Sequence, residues 1–153
     1  MIVGIDPGNT GAVAVLSYGG KFFYTFDMPL KDEGKGKIID ADSLYRDARW
    51  DRPITVYLEK VHAMPNQGVT SMFNFGQGYG IIKGVLGCLG YDYTLVTPQA
   101  WKKHHGLLKT DKDAARLKAI ELFPEAEQYL QRKKDIGRAD ALLIAAYGYS
   151  LEN

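Results

Sequence analysis

The stretch IVGIDPGNTG, residues 2–11, decides the fold. It begins with a short apolar run, which ends at Asp6 and is followed directly by the turn residues Pro, Gly and Asn. Such a run, closed by turn residues, is typical of a buried β-strand. Two further short apolar runs, residues 12–16 and 22–26, follow with a glycine-rich turn between them. The pattern predicts three antiparallel strands joined by tight turns.

Strands and helices alternate in the rest of the chain. The apolar stretches 54–58 and 93–96 predict a fourth and a fifth strand. An antiparallel meander followed by two right-handed crossovers gives an α/β fold with a five-stranded mixed sheet flanked by helices. Helices are expected over residues 42–49, 69–89 and 137–150, after Thr97-Pro98, and from the N-cap Thr110 to Phe123, and a loop is expected over residues 31–37.

The composition is that of one ordinary globular domain. Of the 153 residues, 46% are hydrophobic and 24% are charged, which excludes disordered and fibrous proteins. The length fits a single domain over residues 1–153. One cysteine excludes an internal disulfide and a cysteine-based zinc cluster. No signal-peptide pattern and no apolar run of membrane-spanning length are present, so we expect a cytoplasmic protein with no membrane partner.

Three acidic residues are expected to meet at one edge of the sheet. Asp6 and Glu59 each end an apolar strand, and the carboxyl ends of neighbouring parallel strands form the edge at which α/β sheets bind ligands. Asp140 lies in an apolar helix, where a lone carboxylate is costly unless a partner or a cation offsets its charge. Taken singly, Asp6 could be a turn aspartate and Glu59 an exposed edge residue.

As a set, these oxygen ligands suit Mg²⁺. Two such ions about 4 Å apart could activate water and stabilise the leaving oxygen in phosphodiester hydrolysis.

Positive charge is concentrated in residues 101–118, which carry six Lys or Arg against two Asp. Local basic surface is what phosphate contacts need, whatever the net charge of the chain. Because this segment follows the fifth strand, we predict that Lys102, Lys103 and Lys109 hold phosphates. Trp101 is expected to pack at the base of the same helix.

Two other features bear on binding. His62 and Asn66 lie in the loop that follows Glu59, where their location favours substrate contact, although ordinary loop residues need no function. In the long helix, Gly76, Gly80 and Gly84 form a bare stripe at a spacing of four residues. This stripe fits either a contact between two copies of the chain or helix packing within one copy.

Four segments resemble the RuvC family of Holliday junction resolvases, especially its small phage-type members. They are GIDPG (4–8), YLEKV (57–61), VTPQAWKK (96–103) and GRADAL (137–142), in the family's order. The resemblance implies an RNase H-like fold, a homodimer, and Mg²⁺ or Mn²⁺ as the cofactor. It also implies paired nicks across a four-way DNA junction, in a bacterial cell or a phage-infected bacterial host, with no nucleotide cofactor.

The resemblance assigns Asp6, Glu59 and Asp140 as catalytic metal ligands. The family's fourth acid usually lies a few residues before the last aspartate, and the nearest acid here is Asp135, which we expect to be the fourth ligand. The family often places an aromatic residue three positions after the glutamate, where this chain has His62. By the same correspondence, Asn66 falls in the substrate-facing loop.

Two other functions stay open. Asp6-x-Gly8-x-Thr10 also matches the phosphate loop of sugar and pantothenate kinases, which share the RNase H-like core. Those kinases generally carry a duplicated core, and this chain shows no second copy. A non-catalytic module that binds branched DNA is the other alternative.

Overall fold

The computed structural model describes residues 1–153, and a five-stranded mixed sheet runs through its centre. The strands are β1 (Ile2–Asp6), β2 (Ala12–Leu16), β3 (Phe22–Asp27), β4 (Leu30–Glu33), β5 (Gly36–Ile39), β6 (Thr55–Glu59) and β7 (Tyr93–Val96). The order in the main sheet is β3-β2-β1-β6-β7. The β1–β2–β3 meander is antiparallel, and β1, β6 and β7 are parallel, so the predicted topology is confirmed.

The prediction of a loop over residues 31–37 is wrong, because this segment belongs to a hairpin of β4 and β5. Gly34 has φ 60° at the first position of the two-residue turn, where hairpins favour glycine. The side chain of Asn9 fastens the hairpin to the loop after β1, since its amide donates to the Lys37 carbonyl oxygen over 3.0 Å.

Five α-helices flank the sheet, in the places predicted. They are α1 (Ala41–Asp47), α2 (Val69–Cys88), α3 (Pro98–His104), α4 (Lys112–Leu122) and α5 (Ile136–Glu152), with short 3₁₀ turns at Pro124–Tyr129 and Lys133–Asp135. None of them is long and apolar enough to cross a membrane.

The N-caps follow the sequence with one exception. The Thr97 hydroxyl accepts from the Ala100 amide over 3.2 Å and caps α3 as predicted. Helix α4 is capped by Asp111, whose carboxylate accepts from the Ala114 amide over 3.0 Å. Thr110, the predicted cap, instead donates its hydroxyl to the Leu107 carbonyl oxygen over 2.7 Å.

The two faces of the sheet bury separate apolar cores. One face packs against α1 and α2 and includes Val3, Ile5 and Leu58. The opposite face packs against α3, α4 and α5 and includes Ile2 and Tyr57. Because side chains alternate along a strand, Asp6 and Glu59 both fall on the α5 face.

Helix α5 lies directly on β1. A Cβ atom at Gly4 would collide with the Ala141 carbonyl oxygen and the Ala145 amide nitrogen, and one at Gly137 would collide with the Thr10 carbonyl oxygen. Only glycine permits these close approaches, which fix the helix against the strand that ends at Asp6.

The glycine stripe of α2 contacts nothing within the chain. A Cβ at Gly76, Gly80 or Gly84 would meet no atom within 4 Å, so this stripe does not serve helix packing inside one copy.

Candidate active site

Three carboxylates lie near the carboxyl ends of β1 and β6, close enough for their charges to act on one another, and we call them the acid cluster: Asp6, Glu59 and Asp140. The parallel register pairs Ile5 with Leu58, so the next residues, Asp6 and Glu59, end adjacent strands on the same face. Asp140, on α5, lines a cavity of about 440 Å³ together with Asp6. Glu59 does not line this cavity, but its charge acts on both aspartates.

The aspartates of the acid cluster are partly buried and have no counter-charge in direct contact. Burial, and then the charges of Asp140 and Glu59, raise the pKa of Asp6 well above its usual range. Burial, and then the charge of Glu59, raise the pKa of Asp140 to about 7. Neither shift involves a hydrogen bond, so both aspartates are left without a partner inside the chain.

Glu59 is the member of the acid cluster that the fold holds directly. Its Oε2 accepts a hydrogen bond from the Trp101 indole Nε1 over 2.7 Å, and its backbone carbonyl oxygen accepts one from the Tyr79 hydroxyl over 3.2 Å. Burial raises the pKa of Glu59, and the Trp101 bond and the nearby Lys102 oppose that rise. The prediction of pure packing for Trp101 was therefore incomplete.

Four lysines surround the acid cluster. Lys102 lowers the pKa of all three acids, and Lys112 lowers that of Asp140. Both line the cavity with Lys133 and Lys134, which lie on the turn before α5. The cavity thus places unpaired carboxylates next to lysine ammonium groups, an arrangement suited to an anion held beside cations.

The acid cluster fits a hard divalent cation by its chemistry. It offers carboxylate oxygens only, and two of its members have no other partner. The raised pKa values of these two reflect burial first and neighbouring negative charge second, and a bound cation would offset both. No three Asp, Glu, His or Cys side chains are arranged to hold a metal ion by themselves. Mg²⁺ commonly completes its shell with water and substrate phosphate, so an open site of this kind suits it.

Comparison with known proteins identifies relatives in sequence and in fold. No family model matches the chain. Over 103 residues, 63% of the chain, it is 35% identical to the chloroplastic Holliday junction resolvase MOC1 of Chlamydomonas reinhardtii, and the match spans only 11% of the length of that protein. A structure of T. thermophilus RuvC in complex with a Holliday junction substrate superposes with a TM-score of 0.63 at 15% identity, covering 99% of this chain and 96% of that one.

The chain has the RuvC fold. A second structure of Thermus thermophilus RuvC agrees, with a TM-score of 0.53 at 16% identity over 99% of this chain and 96% of that one. The RNase H-like fold predicted from the sequence is confirmed, and both comparisons support the resemblance to RuvC resolvases.

Asp135 does not join the acid cluster in this RuvC fold. It is only 3% exposed, and its carboxylate accepts from the Arg132 guanidinium at 2.7 Å and from the Arg132 backbone amide at 2.9 Å. Burial alone would raise the pKa of Asp135, but the bonds from Arg132 lower it. Asp135 does not line the cavity, because it ends the 3₁₀ turn before α5 and its carboxylate is held by Arg132.

The predicted DNA-binding residues separate into two groups. Lys102 and His62 each line a cavity, Lys102 beside the acid cluster and His62 in a second cavity of about 470 Å³. Asn66, Lys103 and Lys109 are exposed and line neither cavity. Asn66 (φ 65°) and Lys109 (φ 61°) have left-handed backbone conformations, which asparagine adopts readily in turns.

Sequence reasoning missed the second role of Trp101, and it counted Lys112 only as part of the basic segment 101–118. The basic pair Lys133-Lys134 favoured either phosphate contact or a solvated run of charges, and the structure places both lysines on the cavity that Asp6 and Asp140 line.

Proposed function

We propose that the protein is a metal-dependent endonuclease that resolves four-way (Holliday) DNA junctions by paired hydrolysis of phosphodiester bonds. The observation that carries the proposal is the acid cluster: Asp6 and Asp140, which are partly buried and have no hydrogen-bond partner, open onto a cavity with four lysines, and the charge of Glu59 acts on both. The RuvC fold and the sequence similarity to a Holliday junction resolvase support the choice of substrate.

Asp6, Glu59 and Asp140 are the proposed ligands of Mg²⁺, with two ions in each site and Mn²⁺ as a substitute. When bound, the ions supply a lowered pKa for the attacking water and positive charge at the scissile phosphate. Asp6 and Asp140 contribute charge without competing hydrogen bonds, and Glu59 contributes a carboxylate that the fold already orients.

The lysines hold DNA phosphates on either side of the bond to be cut. Lys102 extends from α3, Lys112 from the start of α4, and Lys133 and Lys134 from the turn before α5, so the cavity has ammonium groups from three elements. Lys103 and Lys109 are assigned to DNA farther from the cut, because they are exposed and lie outside the cavity.

Asp135 is proposed to organise the start of α5 and not to bind the metal. Its carboxylate is already occupied by Arg132. His62 is proposed to contact DNA from the second cavity, with Asn66 in the same loop. A cytoplasmic location in a bacterial cell or a phage-infected host stays a prediction.

Cleavage of a mobile four-way junction against a linear duplex of the same sequence tests the function. We expect paired nicks in the junction with Mg²⁺ or Mn²⁺, none with EDTA, and little cutting of the duplex. Equal cutting of both substrates would contradict junction selectivity. Binding without cleavage would favour a non-catalytic DNA-binding module, and phosphoryl transfer from ATP to a small alcohol would favour the kinase alternative.

We also propose a homodimer that packs through α2, since resolution of a junction needs two symmetrically placed sites. The outer face of this helix presents Val69 and Phe73, with 86% and 71% of their surface exposed. The uncovered glycine stripe beside them lets a second helix approach closely.

The dimer is tested by sedimentation of Phe73→Asp at micromolar concentration. We expect a dimer for the wild-type protein and a monomer for this variant. Phe23→Asp is the matched control, because Phe23 is 60% exposed on β3, away from α2. A monomeric wild-type protein, both alone and with junction DNA, would rule out the proposed dimer.

A further inference from the structure

Trp101 touches the acid cluster from inside the fold. Its side chain is fully buried in the core on the α5 face of the sheet. Its indole Nε1 nevertheless donates a hydrogen bond of 2.7 Å to a carboxylate, Oε2 of Glu59. A residue at the boundary of core and cavity can transmit the rigidity of the core to the site.

The other tryptophan of the chain indicates that packing alone does not demand such a bond. Trp50 is 7% exposed and stacks on Tyr91 with ring centroids 5.6 Å apart, yet its Nε1 has no hydrogen-bond partner. Buried indole N–H groups usually find a partner, and this fold tolerates one that does not. Trp101 does have a partner, and that partner is Glu59, a member of the acid cluster.

Glu59 is restrained at two points, one on its backbone and one on its side chain. The Tyr79 hydroxyl holds the carbonyl oxygen, and the Trp101 indole holds Oε2. The other carboxylate oxygen makes no hydrogen bond within the chain. With one oxygen fixed, the carboxylate cannot rotate freely, and the remaining oxygen has a defined position.

We propose that Trp101 is a positioning residue whose indole N–H fixes one oxygen of Glu59, so that the other is presented to a divalent cation shared with Asp6 and Asp140. The inference rests on the proposed function, because the cation belongs to the proposed nuclease site. Hydrogen-bond partners that orient metal ligands typically change metal affinity or activity by about 10–100-fold when they are lost.

Lys102 strengthens this assignment. Its ammonium lies 5.3 Å from the centroid of the Trp101 ring, so one short helix places a hydrogen-bond donor and a cation side by side next to Glu59. Phenylalanine at position 101 would keep an aromatic face for Lys102, but it would remove the N–H and also leave the volume of the second indole ring empty. Trp50→Phe removes the same groups from another buried position and so controls for the loss of volume.

The first test compares Trp101→Phe with the matched control Trp50→Phe, using Mn²⁺ binding followed by the electron paramagnetic resonance of free Mn²⁺. We expect Trp101→Phe to bind Mn²⁺ about 10-fold more weakly and Trp50→Phe to bind it as the wild-type protein does. Circular dichroism in EDTA establishes that both variants fold. Wild-type Mn²⁺ affinity in folded Trp101→Phe would overturn the proposal.

The second test needs no variant of Trp101 that folds. The wild-type protein has two tryptophans and so two indole N–H resonances in a nitrogen–proton correlation spectrum, which Trp50→Phe assigns by loss of one peak. We expect Mg²⁺ to move the Trp101 peak and leave the Trp50 peak in place. Mg²⁺ binding that leaves the Trp101 peak unmoved would overturn the proposal.

Failure of the proposed function gives a different result from failure of the Trp101 assignment. A wild-type protein that neither binds Mn²⁺ nor cuts junctions overturns both. If the wild-type protein binds Mn²⁺ and cuts junctions, and Trp101→Phe binds Mn²⁺ with wild-type affinity, only the role of Trp101 is overturned.

Discussion

Buried carboxylates have opposite environments in the acid cluster and at the start of α5. Asp135 and Asp140 lie five residues apart, yet the pKa of Asp135 is lowered and that of Asp140 is raised to about 7. Burial acts to raise both. The difference is the partner: Arg132 donates to Asp135, whereas Asp140 forms no ion pair or hydrogen bond and has the like charge of Glu59 near it.

This contrast distinguishes a carboxylate that is paired within the chain from one that has no partner until a ligand binds. At the start of α5, Arg138 likewise donates to Asp27 over 2.7 and 3.0 Å, so both arginines of this region are paired with a carboxylate within the chain. In the acid cluster the two aspartates are not paired, and the folded chain bears the cost of keeping them there. A cost of this kind is expected at functional sites, where the ligand supplies the missing charge.

The largest expected effect separates the two aspartates by activity. Asp140→Asn should lower junction cleavage by about 10³-fold, because the amide keeps the shape of the carboxylate but loses its charge toward the cation. Binding of junction DNA in Ca²⁺ should be unchanged or slightly tighter, since one negative charge leaves the phosphate path. A cleavage time course in Mg²⁺ beside a gel shift in Ca²⁺ measures both, and near-normal cleavage would remove Asp140 from the metal site.

Asp135→Asn should give the opposite pattern. We expect the free energy of unfolding to fall by about 1–3 kcal/mol, because the charged hydrogen bonds to Arg132 are lost from a buried position. Urea denaturation in EDTA measures this change. Without urea, where the variant is folded, its cleavage of junctions in Mg²⁺ should stay near normal. Loss of cleavage in the folded variant would restore Asp135 as a fourth ligand.

The pH dependence of stability should sharpen the same contrast. Without metal, Asp140 keeps its proton up to about pH 7 in the folded state and loses it near pH 4 when unfolded, so its contribution to stability falls as pH rises between these values. Asp135, with its lowered pKa, stabilises the fold above about pH 4 and loses this effect only in stronger acid.

Urea denaturation in EDTA at several pH values between 4 and 8 measures whether the contribution of Asp140 to stability falls as pH rises. We expect Asp140→Asn to gain on the order of 1 kcal/mol over the wild-type protein as pH rises through this range. If the stability advantage of Asp140→Asn over the wild-type protein became smaller as pH rises, this result would contradict the raised pKa of Asp140.

The smallest expected effect concerns the lysines around the acid cluster. Lys133→Ala with Lys134→Ala should lower the slope of log affinity against log salt by about one unit for each lost phosphate contact. We also expect the double variant of Lys133 and Lys134 to cut junctions more slowly. The matched control is Lys103→Ala with Lys109→Ala, from outside the cavity, and we expect this pair to slow cleavage less. Equal effects of the two pairs on cleavage would remove the special role of the cavity lysines.

Sequence periodicity was enough to predict the sheet and the strand-end acids. Asp6 and Glu59 follow short apolar runs, which was enough to place them at strand ends. The pairing of Ile5 with Leu58 then puts both acids on one face of the sheet. The hairpin of β4 and β5 was missed because its glycines and lysines outweighed a weak strand pattern.

The contacts within the site depended on tertiary packing that no local pattern encodes. Trp101 reaches Glu59 across 42 positions of sequence, and the engagement of Asp135 by Arg132 depends on a 3₁₀ turn in place of a regular helix start. The family resemblance, which suggested Asp135 as the fourth ligand from its position before Asp140, could not take this turn into account.

The close contact of the α5 backbone with Gly4 of β1 determines how firmly Asp140 is held near Asp6. Helix and strand meet backbone to backbone there, with no side chain between them that could change rotamer and let the two elements drift apart. Separating Asp140 from Asp6 requires peeling α5 from the middle of the core, which belongs to the last cooperative unit to open. We therefore expect the backbone at Asp6 and Asp140 to stay together as long as the native state lasts, and amide hydrogens of β1 and of the middle of α5 should exchange only through global unfolding.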